Sequence, residues 1–296
     1  MSIIIKNLSY TYNPKSIFEK VALKNINLQI ENGDFFGIIG HTGSGKSTLI
    51  NHLNALTRIQ KGSGEIIIQG IDLTQKKLDF RRLRSEVGMV FQYPEYQLFD
   101  ETVAKDVGFG ARNLKLDKKE IEWRVKEAIE LVGLNYEEIK DRSPFEISGG
   151  QKRRAAIAGV LAMRPKILIL DEPTAGLDPR GKKEILDLVQ NIKEKMCRTI
   201  VMISHNMDEI ARVANKIAVM HKGEIVCVKP PKELFSEREI LKKYNISMPQ
   251  ATLLANELAD KGFEIDRGIV DEEELIEKIT NYSGQIANDE EINLNL

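Results

Sequence analysis

One short stretch constrains this chain more than any other: Gly40-His41-Thr42-Gly43-Ser44-Gly45-Lys46-Ser47-Thr48. It fits GxxxxGK[ST], follows the apolar run FFGII and precedes TLINHLNAL, which reads as a helix. Glycines allow the tight backbone path that turns successive N–H groups toward phosphate oxygens, and the start of the next helix adds partial positive charge. The pattern predicts strand, phosphate-cradling loop and helix, with a nucleotide as ligand. Lys46 would reach the β- and γ-phosphates, Ser47 would ligate magnesium, and Thr48 would lie against the earlier phosphates. A dinucleotide turn would instead need GxGxxG near the first strand and an acid about 20 residues later.

A second site element lies far along the chain. Ile167-Leu168-Ile169-Leu170 has no alternation, which suggests a strand buried on both faces, and it ends in Asp171-Glu172-Pro173. Parallel sheets place ligands at such carboxyl ends. Asp171 would help hold magnesium, and Glu172 would act as general base toward an attacking water, or position it. His205, after TIVMIS, and Gln92, after VGMVF, stand at further strand ends, where they could hold the water or sense the metal. Tyr12 offers a flat face for an adenine ring, with Tyr10 as competitor.

Around these motifs the chain reads as α/β. SIIIKNLSY, VALKNINLQI, EIIIQG and VGMVFQ look like strands, and KILILDEP, a helix-like segment and RTIVMISH follow in strand–helix–strand order. Ile121, Val125, Ile129 and Val132 recur with helical period, which predicts a mostly helical insert from about residue 95 to 160. KIAVMHKG and EIVCVKP add two short strands before Pro230-Pro231, where a boundary is expected. Beyond it SMPQATLLANELADKG carries a helical stripe. From Glu264 onward ten acidic residues face two basic ones, and the last ten or so residues look frayed.

At 296 residues and a net charge of -1, no global field draws the chain to nucleic acid. Cys197 and Cys227 form no CxxC and read as buried thiols in a reducing compartment. No signal peptide is recognisable at MSIIIKNLSY, and the apolar runs fall well short of the roughly 20 residues a membrane helix needs.

The segment FEISGGQKRR at 145–154 lacks phosphate-loop spacing, yet is built to meet an anion. Ser148 is a candidate N-cap, Gly149 and Gly150 let backbone N–H groups approach, and QKRRAAIAGVLAM presents the positive end of a helix.

The ordered set GHTGSGKST, FQ at 91–92, ISGGQ at 147–151, ILILDEP, AGLD at 175–178 and SH at 204–205 resembles the ATP-binding subunit of an ATP-binding-cassette transporter over roughly residues 3–230. FQYPEYQLFDETVAKDVGFG and SPFEISGGQKRRAAIAGVLAM resemble more narrowly the ATPases of energy-coupling-factor vitamin and metal importers, the cobalt-import group. The PEYQLF wording is similar to the second of their two paralogous ATPase subunits. The resemblance implies a P-loop NTPase (RecA-like) α/β core with an antiparallel β subdomain and a helical subdomain insert over residues 1–230. A small helical appendage, used in dimerisation, would fill 231–296. It implies ATP and Mg2+, and a head-to-tail dimer in which Ser148, Gly149, Gly150 and Gln151 of one subunit meet the nucleotide held by Lys46 of the other. Tyr12 then matches the adenine-stacking position, Gln92 the coupling loop and a metal-sensing position, Glu172 the general base, His205 the switch histidine, and Asp178 a link between the two sites. The implied partners are a sister ATPase, or a second copy, together with a transmembrane coupling subunit and substrate-binding membrane subunits, at the cytoplasmic face of a bacterial membrane. Two departures, Ile147 for leucine and Asn206 for aspartate, leave hydrolysis intact. A soluble cassette ATPase of DNA repair or translation is the alternative; KKLDFRRLR at 76–84 is its only nucleic-acid hint, and a solvated helix face explains it more simply.

Overall fold

The computed structural model describes residues 2–281. Its strands are β1 (Ile3–Tyr12), β2 (Lys20–Ile30), β3 (Phe35–Ile39), β4 (Glu65–Ile68), β5 (Ile71–Asp72), β6 (Val87–Val90), β7 (Ile167–Asp171), β8 (Thr199–Ile203), β9 (Lys216–His221) and β10 (Glu224–Lys229). They form a four-stranded antiparallel sheet, β2-β1-β4-β5, and a six-stranded sheet, β10-β9-β3-β8-β7-β6. From β9 to β6 the second sheet is parallel, and only β10 runs antiparallel at its edge.

The unbroken apolar runs have a direct cause. Every residue of β3, β6 and β8 is buried, because the parallel sheet is covered on both faces. Phe35 and Ile39 point into one core, with Leu168, Leu170, Ile200 and Met202, while Phe36 and Ile38 point into the other, with Ile167, Ile169, Val201 and Ile203. The antiparallel sheet and the helix Lys46–Leu53 cover the second face. Helices Lys118–Leu131, Gly149–Leu161 and Pro179–Lys195 contribute to the first core.

Between β6 and β7 the chain is helical: 3-10 turns at Pro94–Gln97 and Pro144–Glu146, and helices Val103–Val107, Phe109–Asn113, Lys118–Leu131, Tyr136–Ile139 and Gly149–Leu161. Side-chain caps from Thr102, Asp117 and Asn135 mark three of these starts. After β10 come helices Pro231–Ser236, Arg238–Tyr244 and Gln250–Asp260, then a helical stretch over 272–281. Ala251, Ala255, Ile265, Ile269 and Leu275 form a small core of their own, and the Gln250 N–H donates to Asp208 at 2.6 Å, tying this region back to the helix Met207–Val213 that follows β8. The frayed end expected from the sequence lies outside the described residues.

The cysteines divide. Cys197 is buried, and burial pushes its thiol up to about 12. The expectation of a second buried thiol is corrected: Cys227 is only half-buried, because β10 is an edge strand with a single neighbour. Among the described residues no helix is long and apolar enough to cross a membrane.

Candidate nucleotide site

Four neighbouring parallel strands deliver the site from their carboxyl ends. β3 leads into the phosphate loop, β8 to His205, β7 to Asp171 and Glu172, and β6 to Gln92. Since β8 lies between β3 and β7, the histidine emerges between the lysine and the glutamate.

The loop after β3 closes tightly. Gly40 has φ +145° and Gly45 φ +108°, with Gly45 N-capping the helix Lys46–Leu53. Lys46 folds back over this loop, its Nζ donating to the carbonyls of Gly40 at 2.6 Å and His41 at 3.0 Å. Burial lowers the affinity of that amine for its proton, while the Glu172 and Asp171 carboxylates act in the opposite direction. Ser44 Oγ is buried with no hydrogen-bond partner, an orphaned polar atom at the centre of the loop. Ser47 is exposed one residue beyond Lys46.

Glu172 is the hub. It sits at φ +48°, a left-handed conformation uncommon for glutamate, with its N–H donating to the Ile203 carbonyl of β8 at 3.0 Å. Gln92 Nε2 donates to Glu172 Oε2 at 3.1 Å, and His205 Nδ1 lies 3.4 Å from the same oxygen. Gly40, His41, Thr42, Lys46, Glu172 and His205 line one cavity of about 420 Å³. An imidazole, a carboxylate and an ammonium thus face a shared space, with the Gln92 amide bonded to the carboxylate from outside the lining, a set able to hold a triphosphate end and orient a water against it.

Asp171, at the end of β7, has its carboxyl pushed up to about 6, first by burial and then by the Glu172 charge, with Lys46 pulling the other way. An under-compensated carboxylate, an exposed serine hydroxyl and a glutamine amide are hard oxygen donors, and that chemistry fits Mg2+. Asp171, Ser47 and Gln92 are the residues that would hold it.

Two tyrosines stand beside the loop's helix. Tyr12 OH lies 3.2 Å from Thr48 Oγ1, and its exposed ring meets Tyr10 edge-on at 4.9 Å. Tyr10 sits behind, half-buried, edge-on to His52 at 4.7 Å. The face open to solvent next to Thr48 is therefore that of Tyr12.

The remaining sequence candidates lie outside this cavity. Ser148 caps the helix Gly149–Leu161, accepting from the Gln151 N–H at 3.3 Å, while Gln151 Oε1 accepts from the Ser148 N–H at 3.0 Å. The Gln151 amide oxygen is thus engaged within its own chain. Gly149 and Gly150 are exposed, with no atom within 4 Å of where a side chain would begin. Asp178 caps the helix Pro179–Lys195, its Oδ1 accepting from the Gly181 N–H at 2.7 Å.

Sequence reasoning passed over three features. Arg153, 2% exposed, makes a two-pronged ion pair with Glu95 and also bonds backbone carbonyls beyond Glu172. Its signal was available, since Arg153 shares a helical stripe with Ile157 and Leu161, a charge on a buried face. Buried Glu209 accepts from Thr174 Oγ1 at 2.6 Å and Ser204 Oγ at 2.8 Å, joining the loops after β7 and β8. Asn245, Ile246 and Ser247 complete the cavity wall, with His41 Nε2 3.0 Å from the Tyr244 carbonyl. Nothing local in the sequence announces that contact.

Known proteins match this arrangement. The ABC transporter family model matches residues 23–175. The chain is 52% identical over 285 residues to the energy-coupling factor transporter ATP-binding protein EcfA2 of Clostridium perfringens, covering 95% of this chain and 99% of that protein. It is 54% identical over 282 residues to the protein of the same name from Caldanaerobacter subterraneus, covering 95% and 98%. Among solved structures, cbiO1 from Clostridium perfringens, described as part of the ABC transporter complex cbiONQ, superposes with TM-score 0.71 at 39% identity, covering 86% of this chain and 98% of that one. The ATP-binding cassette MJ0796, a dimer in a post-hydrolysis state bound to ADP and Pi, gives TM-score 0.67 at 30% identity, covering 77% and 98%. A matching family model, superposing solved structures and half-identical sequence over nearly the whole length lead to one conclusion: the chain belongs to the ABC transporter family and, within it, to the ATP-binding proteins of energy-coupling factor transporters, on the side of the second paralogue.

Proposed function

We propose that the chain binds and hydrolyses ATP with Mg2+ as one half of a head-to-tail dimer, and that closure of the dimer drives a membrane partner through an import cycle. The observation that carries this is the Glu172 carboxylate, held by Gln92 at 3.1 Å beside Lys46 and His205 in one cavity. Glu172 orients the attacking water and takes its proton, Gln92 and His205 fix that carboxylate, and Lys46 exchanges the loop carbonyls for phosphate oxygens. Magnesium, held by Ser47, Asp171 and Gln92, would offset charge on the transferring phosphoryl group. Tyr12 stacks on the adenine. Ser148, Gly149 and Gly150 donate to a nucleotide on the other subunit, with Asp178 near the junction. A sister ATPase is the favoured second half, and a second copy is the alternative.

In this reading residues 1–230 are the cassette, with the helical subdomain at about 95–160, and 231–296 an appendage that contributes to the dimer. A groove of about 640 Å³, with Leu98, Phe99, Phe109, Val160 and Met163 among its walls, opens beside the segment after Gln92. Its exposed aromatic rings suit a helix of a transmembrane coupling subunit, which would hold the chain at the cytoplasmic face of the membrane. The cargo, a vitamin or a transition metal, is chosen by substrate-binding membrane subunits.

The test is Glu172→Gln in an assembly whose partner also lacks its catalytic glutamate. ATP binding is retained and turnover falls by about 100-fold or more. A near-normal hydrolysis rate rejects the assignment. Purification from membranes with mild detergent should bring down a coupling subunit; recovery only with nucleic acid or ribosomes reverses the transport reading.

A further inference from the structure

Arg153 lies one helical turn beyond Gly149, with its guanidinium almost wholly buried. Nε and Nη2 donate to the two carboxylate oxygens of Glu95 at 2.9 and 2.7 Å. Nη1 donates to the carbonyls of Pro173 at 3.3 Å and Ala175 at 3.0 Å. One side chain therefore joins three parts: the helix that opens with Ser148, the turn Pro94–Gln97 just after Gln92, and the loop just after Glu172. The same turn and helix both reach the apolar groove, through Gln97 and Leu98 on one side and Ala156, Gly159 and Val160 on the other. A parallel contact runs beside it, because the Tyr93 ring lies only 3.1 Å from where a side chain at Gly176 would begin, on the same loop.

A fork of this kind is rigid. Two parallel bonds to a carboxylate fix angle as well as distance, and the two carbonyl bonds fix the loop against the same plane. Movement of the turn cannot then occur without moving Arg153 or breaking its bonds. The backbone it would move begins one residue after the carboxylate at the centre of the site.

We propose that Arg153 is a positioning residue that passes displacement of the groove-lining turn, through Glu95, to the loop carrying Glu172. This rests on the reading of the groove as the dock of a membrane subunit. Occupation of the groove thus sets the aim of the general base, and the empty groove leaves the loop in a less active setting.

The experiment compares Glu95→Gln, Arg153→Met and the double variant, each measured in the ATPase dimer and in the complex with its membrane subunit. Each single change leaves a buried charge without its partner and lowers the unfolding temperature; the double variant removes both charges and recovers much of that loss. A merely structural ion pair would then also recover kcat and the ratio of transport to hydrolysis. A positioning pair would not: the double variant keeps its KM for ATP within about twofold, while kcat in the complex falls roughly tenfold and the transport ratio drops. A double variant with wild-type kcat and transport ratio overturns the proposal. If the wild-type chain fails to capture a membrane subunit, the docking reading falls by itself. The kcat of the dimer supplies the basal rate: a double variant that loses kcat in the complex but not in the dimer supports the clamp, and one that loses it in neither removes Arg153 from the positioning of Glu172.

Discussion

Two pairs of glycines in this molecule answer to different demands. At Gly40 a side chain would begin 2.2 Å from the Met220 carbonyl oxygen, and at Gly45 2.6 Å from that of Ala22. Both have backbone angles that other residues rarely adopt, so the fold itself requires glycine there. Gly149 and Gly150 start an ordinary helix and meet nothing within 4 Å. Their own chain gives no reason for them, and glycine weakens a helix. The contrast teaches that a glycine crowded by its own chain reports on folding, whereas an uncrowded pair at an exposed helix start reports on something that approaches from outside.

Substitutions separate the two cases. The largest expected effect is Gly40→Ala, which forces a clash with backbone in a strained conformation; stability falls by about 3 kcal/mol or more in denaturant titration, and nucleotide binding is lost with it. Gly150→Ala should do the opposite to the fold, adding about 0.5–1 kcal/mol of helix stability, while ATP turnover of the dimer drops about tenfold or more. A Gly150→Ala chain that gains stability and hydrolyses normally would break the comparison outright. The smallest effect is expected at Asp171→Asn on the crowded side. The folded carboxyl, at about 6 against 3.8 for the free group, binds its proton more tightly than the unfolded one. Its cost is therefore complete above about 6 and relieved as pH falls toward 3.8. Removing the charge stabilises the ligand-free chain at neutral pH by about 1 kcal/mol after allowance for solvent screening, and flattens that part of the pH profile of thermal unfolding.

The crowded side was legible in the sequence because its chemistry is contiguous. Gly40 to Thr48 states loop, helix and ligand class in nine residues, and the four apolar residues before Asp171 state a strand buried on both faces. The parallel core and the helical run between β6 and β7 followed from periodicity in the same way. The contacts that escaped are those set by tertiary pairing. Glu95 and Arg153 are 58 positions apart, and no spacing rule joins them. His41 meets the Tyr244 carbonyl across 203 positions, through a backbone acceptor that any residue supplies. Gln151 reads in the sequence as part of the donor surface, and only the capping geometry reveals that its amide oxygen also holds the Ser148 backbone N–H.

The order β3-β8-β7 has a consequence for synthesis on the ribosome. Lys46 and Glu172 are translated before Thr199–Ile203, yet β8 is the strand that brings the other two into one sheet. A nascent chain that ends at residue 190 carries both the lysine and the glutamate with a missing strand between them. Until the last of the three strands has left the exit tunnel, the lysine and the glutamate have no common sheet to hold them in one cavity.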